Sequence, residues 1–132
     1  MGLQEKEKQD LVKYRLEKAN ETLAEVPIQF ENQFYRTAAN RLYYSCFYAA
    51  TALLINDGFE IHTHSGVKTL LGLHYIKEHK LEKLYGKLYD TLFNLRQTGD
   101  YEDWVCLNEE DVLPLVEPAK KFIAEIENLI MQ

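Results

Sequence analysis

The sequence has 132 residues, of which 46% are hydrophobic and 27% are charged, so one domain can bury a core without metals or disulfides. The formal net charge of −6 argues against a general DNA- or RNA-coating protein, because an acidic surface repels phosphates at long range. The longest mostly apolar run, Leu42 to Ile55, is shorter than the roughly twenty residues of a membrane span. We therefore expect a chain with no membrane anchor.

The cysteines and the polar start of the chain bear on its compartment. Cys46 and Cys106 are isolated and show no CxxC spacing, and Met1 to Lys6 lack the apolar stretch of a signal peptide. Isolated cysteines are typical of a reducing environment. The sequence therefore predicts a cytoplasmic protein.

Two helices are predicted in the first half of the chain. Apolar residues recur in steps of three and four from Glu5 to Val26, where Pro27 ends the pattern. A second helix is predicted from Asn32 to Asp57, and from Leu42 onward it is apolar on every face. Such a helix needs partners all round, so it is the centre of a bundle or also part of a subunit interface.

Three further helices are predicted. The third begins near His64, with Ser65 as its N-cap, and turns Val67, Leu70, Leu71 and His74 inward. The fourth carries apolar residues from Leu81 to Leu95, including Leu84, and ends around Thr98 and Gly99. In the last helix, Pro118 predicts a kink or a delayed start.

No segment alternates with the period of a strand. The sequence predicts an all-α, up-and-down bundle of about five helices that forms one domain over residues 1–132.

Common cofactor and metal motifs are absent from the sequence. It has no phosphate-binding glycine loop, no nucleophile elbow and no HExxH helix. The histidine spacings, His62-x-His64 and His74 to His79, do not suit a helical metal pair. We therefore predict no metal and no cofactor.

Arg41 is the most unusual residue of the second helix, because an unpaired charge in an apolar helix costs several kcal/mol. It either forms a structural salt bridge, for which Asp100 is a candidate, or reaches a ligand. Arg96, close to Gly99, presents the same two alternatives.

Three stretches together resemble a known family. They are Ala38-Ala39-Asn40-Arg41-Leu42-Tyr43-Tyr44 with the following Phe47 and Ala49-Ala50, then Thr63-His64-Ser65-Gly66, then Arg96-Gln97-Thr98-Gly99-Asp100-Tyr101. In this order and spacing they resemble the HEPN family, especially its small stand-alone prokaryotic branch. The resemblance extends over roughly residues 21–131.

The resemblance implies a helical bundle that pairs into a homodimer. Many HEPN relatives are encoded beside, or fused to, a minimal nucleotidyltransferase, often as toxin–antitoxin systems. Active HEPN ribonucleases carry an arginine followed, after four to six residues, by a histidine. Two subunits bring these motifs into one cleft, where the RNA 2′-hydroxyl attacks the adjacent phosphate.

The resemblance assigns the family arginine to Arg96. The histidine position then falls on Tyr101, Glu102 or Asp103, and none of these is a histidine. A tyrosine, with an ordinary pKa near 10, is a poor general base at neutral pH. His64 either replaces that base, if it lies beside Arg96, or helps to cap the third helix.

The candidate residues follow from these matches. The candidate catalytic residues are Arg96, Asp100 and Tyr101, and the candidate ligand-binding residues are Asn40, Arg41, Tyr44 and His64.

Three functions remain open. The first is a dimeric HEPN-like module that binds a nucleotide, RNA or a partner nucleotidyltransferase in a toxin–antitoxin or defence system. The second is an active metal-independent ribonuclease. The third is an interaction scaffold in which Asn40, Arg41 and Asp100 form a buried polar network that stabilises the bundle.

Overall fold

The computed structural model describes residues 4–102 and 104–132, which contain helices and no strand. The predicted all-α class is therefore confirmed. Of the residues used to exclude a signal peptide, those numbered 1–3 lie outside this range. Five helices of eight or more residues and two short ones make up the described part: α1 Glu5–Ala24, α2 Val26–Glu31, α3 Tyr35–Asn56, α4 His64–Leu71, α5 Lys83–Tyr101, α6 Glu109–Val112 and α7 Val116–Met131.

Helix α3 is the centre of the bundle, as its apolar faces predict. It contacts all six of the other helices, α1, α2, α4, α5, α6 and α7. Leu42, Tyr43, Cys46 and Leu54 are fully buried. Because α3 touches the other six helices, its side chains can meet residues that are far away in sequence.

The first predicted helix is divided in two. Helix α1 ends at Ala24, and the short α2 begins at Val26 with Pro27 in its first turn. Proline fits a first turn, where its missing N–H would have no partner in any case. Pro27 therefore starts a new helix and does not merely end the old one.

Helix α4 continues into a π-helical turn, Gly72–Ile76. Val67 and Leu71 are buried as predicted, but the prediction that His74 faces inward is wrong: His74 is exposed and Tyr75 is buried. A π-turn inserts one residue into the helical repeat, so the inward face moves on by one position. The buried Tyr75 hydroxyl donates a hydrogen bond to Asp57.

Helix α5 runs two residues beyond its predicted end and finishes at Tyr101. Gly99 is buried within the helix, where a Cβ atom would lie 3.2 Å from Leu107 Cδ1 and 3.3 Å from Arg36 Cγ. This glycine permits close approach of the following loop and does not stop the helix. Leu84, one of the apolar residues assigned to the fourth predicted helix, is 51% exposed.

The C-terminal region follows the prediction of a delayed helix start. Pro114 lies in a 3₁₀ turn, Leu113–Leu115, after which α7 begins at Val116 with Pro118 in its first turn. Asn108 and Asp111 form a capping box at the start of α6. Both prolines therefore occupy positions that need no backbone donor.

No helix within the described residues combines the length and apolarity needed to cross a bilayer.

Candidate functional site around Arg96

Arg96 lies on α5 with its guanidinium among three tyrosine rings. The guanidinium carbon is 5.2 Å from the ring centre of Tyr44, 5.3 Å from that of Tyr101 and 5.7 Å from that of Tyr43. Each ring presents a negative face to the cation. Only 14% of the Arg96 side chain is exposed, so the site holds a charge that is largely shielded from water.

Hydrogen bonds and an ion pair fix the orientation of this guanidinium. Arg96 Nη2 donates to the Tyr44 hydroxyl at 2.9 Å and to the Tyr101 hydroxyl at 3.3 Å. Arg96 Nε lies 2.9 Å from Asp100 Oδ2, one helical turn along α5. The Nε–H does not point directly at that oxygen, so the contact is an ion pair without a well-aligned hydrogen bond.

Asp100 connects Arg96 to a second arginine through Asn40. The Asn40 amide donates to Asp100 Oδ2 at 3.0 Å, while its carbonyl oxygen accepts from Arg41 Nη2 at 2.6 Å and Nε at 3.1 Å. The candidate salt bridge between Arg41 and Asp100 is therefore wrong. Arg41 instead pairs with Glu25 at 3.5 Å, because Glu25 sits where α1 passes into α2. Arg41, Asn40, Asp100 and Arg96 thus form one polar chain from α3 to α5.

His64, at the start of α4, packs onto Tyr43 and Tyr44, two of the three tyrosines around Arg96. Its Nδ1 is 2.8 Å from the Tyr43 hydroxyl, its ring stacks on Phe47 at 4.4 Å, and its edge meets the Tyr44 ring at 5.8 Å. Tyr43 and Tyr44 also contact Arg96. His64 therefore lies beside the arginine, which is the condition for it to replace the missing histidine.

The predicted capping roles at α4 are wrong. Thr63 is the N-cap, and its hydroxyl accepts a hydrogen bond from the Gly66 backbone N–H at 2.8 Å. Ser65 is already inside the helix, and His64, at its first position, directs its ring toward Tyr43. The Thr63 cap therefore leaves the His64 side chain available for the site.

The environment changes the pKa values of two groups here. Burial, followed by the positive charge of Arg96, lowers the pKa of His64 from 6.5. Burial raises the pKa of Tyr43 to about 12. At neutral pH His64 is therefore neutral and Tyr43 keeps its proton.

The structure brings together all seven residues that the sequence singled out. With Tyr43, which was not among the candidate residues, they form what we call the Arg96 cluster: Asn40, Arg41, Tyr43, Tyr44, His64, Arg96, Asp100 and Tyr101. Tyr43 and Phe47 are four residues apart on α3, a spacing that places them on one face and was the available signal. Of the three positions considered for the family histidine, Tyr101 contacts Arg96, and Asp103 lies outside the described residues.

The surface next to the Arg96 cluster is open and partly apolar. Tyr101 is 69% exposed and Trp104 is 83% exposed. A groove of about 1010 Å³ between α1 and the loop after α3 begins at Phe47, the residue on which His64 stacks. This geometry suits an extended ligand or another chain better than a small enclosed substrate.

Chemically, the Arg96 cluster offers an oriented guanidinium, two tyrosine hydroxyls and a neutral imidazole. A guanidinium fork matches a phosphate, and imidazole is the side chain whose ordinary pKa lies closest to neutral pH. Among residues 4–102 and 104–132, no three His, Cys, Asp or Glu side chains are grouped as a metal site.

Comparisons with known proteins agree with this architecture. The sequence matches the HEPN domain family over residues 12–129. It is 36% identical to a protein of Thermotoga maritima named "UPF0332 protein", over 94% of each chain. It is 32% identical to a protein of Methanocaldococcus jannaschii named "Putative toxin", over 89% of this chain and 87% of that one. A second protein of that organism with the same kind of name is 30% identical over 82% of this chain and 74% of its own.

The structure is an all-helical bundle in which tyrosines surround Arg96, and the match to the family spans nearly the whole chain. The chain belongs to the HEPN family.

Proposed function

We propose that this chain acts in a toxin-type system by binding the RNA backbone at the Arg96 cluster. The observation that carries the proposal is the fixed guanidinium of Arg96, held by Asp100 and two tyrosine hydroxyls. A pre-oriented guanidinium binds a phosphate with little loss of side-chain entropy. The names of the two Methanocaldococcus jannaschii relatives support the link to toxins.

The exposed aromatic rings support RNA over a free phosphate ion. Tyr101 contacts Arg96 and is largely exposed, so a base could stack on it while its phosphate meets the guanidinium. Asp100 already neutralises part of the Arg96 charge, so we expect moderate affinity from this one site.

The test is the binding of a short single-stranded RNA to purified protein and to three variants. Arg96→Ala removes the fork, Arg96→Lys keeps the charge without the fork, and Lys121→Ala on the exposed face of α7 is the control for lost charge. We expect Arg96→Ala and Arg96→Lys to weaken binding and Lys121→Ala to leave it unchanged. Equal binding by all four folded proteins would refute the proposal. Tyr44→Phe, which loses only a hydroxyl, serves if Arg96→Ala does not fold.

A second candidate is a metal-independent ribonuclease in which His64 takes the place of the missing family histidine. Its specific support is that His64 and Arg96 contact the same two tyrosine rings. Cleavage of the same RNA in the presence of chelator should then be lost in both His64→Ala and Arg96→Ala. Cleavage that persists in both folded variants would rule out this site.

The resemblance to other HEPN proteins also leads us to propose a homodimer, and a nucleotidyltransferase as a further partner. Trp104, which is 83% exposed, is the residue that we assign to such contacts. Sedimentation of the purified chain measures whether it forms a homodimer. Trp104→Ser should then shift the dimer toward monomer. A monomer at high micromolar concentration would refute the dimer.

A further inference from the structure

A second pocket lies between the π-helical turn and the start of α5. Its volume is about 370 Å³, within the range of small-molecule sites. Leu71, Ile76 and Tyr89 provide an apolar lining, to which Gly72 and Gly86 also belong. The pocket is therefore apolar inside and bounded by backbone where the two glycines occur.

The rim of this pocket is positively charged, although the chain as a whole is acidic. Lys68, Lys83 and Lys87 line it together with one acid, Asp90. Lys68 lies 3.8 Å from Asp90, which leaves two lysines without a carboxylate partner among the lining residues. On a chain of net charge −6, this local excess favours an anionic ligand.

The two glycines have no packing role that the structure reveals. A Cβ atom at Gly72 would meet no atom within 4 Å, and one at Gly86 would make ordinary contacts with Ile76 at 3.4 Å or more. Alanine would therefore fit at both positions, and it is a better helix former than glycine.

The pocket is separated from the Arg96 cluster by aromatic side chains. Tyr89 lines the pocket with part of its side chain, and its ring packs against Tyr43 at 5.9 Å. Lys68 Nζ lies 4.8 Å above the Phe93 ring, which also contacts Tyr43 at 5.9 Å. A ligand in this pocket would therefore occupy a site separate from the Arg96 cluster.

We infer that this pocket binds a small organic phosphate, with its apolar body against Leu71 and Ile76 and the phosphate at Lys83 and Lys87. The inference does not depend on the function proposed for the Arg96 cluster. Phosphate suits the rim because partly exposed lysines act as point charges toward it. An apolar body suits the interior because Leu71, Ile76 and Tyr89 line it.

The first experiment compares adenosine monophosphate, adenosine and inorganic phosphate as probes of the full chain by NMR titration. We expect the monophosphate to bind more tightly than either part and to shift the amide signals of Gly72 and Gly86. These shifts should persist in Arg96→Ala. Binding that is no tighter than that of phosphate, or shifts that vanish with Arg96, would overturn the inference.

The second experiment separates binding from folding. Gly72→Ala with Gly86→Ala should raise the melting temperature by a few degrees and yet weaken binding of the monophosphate, since both glycines line the pocket. Lys83→Gln with Lys87→Gln should weaken it by about fivefold or more, and Lys120→Gln with Lys121→Gln on α7 is the control of equal charge. Unchanged affinity in both pocket variants would overturn the inference.

Discussion

The hydroxyl of Tyr43 and Nδ1 of His64, which are 21 residues apart in sequence, lie 2.8 Å from each other in the interior edge of the Arg96 cluster. Because the pKa of Tyr43 is raised to about 12, the phenol keeps its proton and can donate a hydrogen bond to Nδ1 of His64. The proton of a neutral imidazole would then be on Nε2. In that tautomer His64 donates a hydrogen bond from Nε2 and cannot accept a proton there.

The tautomer of His64 therefore discriminates between the two functions. We expect the Nε2–H form in the free protein, which fits ligand binding, and ¹⁵N NMR of the imidazole measures it directly. Tyr43→Phe removes the donor and should mix the two tautomers. A predominant Nδ1–H form would contradict this prediction and would favour His64 as a general base.

Arg96 should control the pKa of His64. Burial and the guanidinium charge both disfavour the imidazolium, so in the folded chain the pKa of His64 lies below 6.5. In Arg96→Ala the NMR titration midpoint of His64 should rise toward 6.5, whereas in Arg96→Lys it should stay low. A midpoint that is the same in all three proteins would mean that the two residues are not neighbours.

The sign of the pH effect on stability follows from the same shift. Near and below pH 6.5 the unfolded chain binds a proton at this histidine more readily than the folded chain does. The contribution of His64 to stability is therefore complete above that pH and is lost as pH falls toward the lower folded pKa. His64→Gln should flatten this part of the stability profile in urea unfolding.

The bundle should depend on Asn40 more than on other helical asparagines. Asn40→Ala removes the hydrogen bond that Asp100 accepts and two hydrogen bonds that Arg41 donates, and it leaves Arg41 with its 3.5 Å contact to Glu25, so we expect a loss of about 1–3 kcal/mol in the free energy of unfolding. Asn20→Ala is the control, because its amide bonds the Leu16 carbonyl on an exposed surface and its loss should change stability by about 0.5 kcal/mol or less. Equal values for the two variants would refute the scaffold role of the network.

Gly99→Ala tests the close approach at the end of α5. The added methyl group would lie 3.2 Å from Leu107 and 3.3 Å from Arg36, so both side chains must move. Overpacking should outweigh the gain in helix propensity, for a net loss of about 1 kcal/mol in urea unfolding. A more stable Gly99→Ala protein would show that the loop after α5 yields easily.

RNA binding should depend only weakly on salt. The Arg96 cluster holds two arginines, and each already has a carboxylate neighbour. One or two neutralised phosphates predict a slope of about −0.7 to −1.4 for the logarithm of the binding constant against that of salt concentration. A slope of about −3 or steeper would indicate binding through lysines elsewhere on the surface.

The helices were predictable because apolar residues recur every three or four positions along the buried face of each helix in a bundle. This periodicity failed to predict which of His74 and Tyr75 is buried, because the helix changes to a π-turn there. The π-turn depends on packing in three dimensions, including the hydrogen bond from Tyr75 to Asp57. Hydrophobic periodicity alone cannot detect such a one-residue insertion.

The membership of the Arg96 cluster was predictable from motif order, whereas its connections were only partly so. Arg96 and Asp100 are four residues apart on a helix, a spacing that typically allows an ion pair. The pairing of Arg41 with Glu25 depends on how α1 passes into α2. The contact of His64 with Tyr43 likewise depends on the path of the loop between α3 and α4.

The position of Trp104 has a practical consequence for studies of unfolding. It is the only tryptophan of the chain and is already 83% exposed in the native state. Its fluorescence should therefore change little when the core melts, whereas circular dichroism follows the loss of the helices. Curves from the two probes that fail to coincide would reflect the location of a single indole, and they would not by themselves show a folding intermediate.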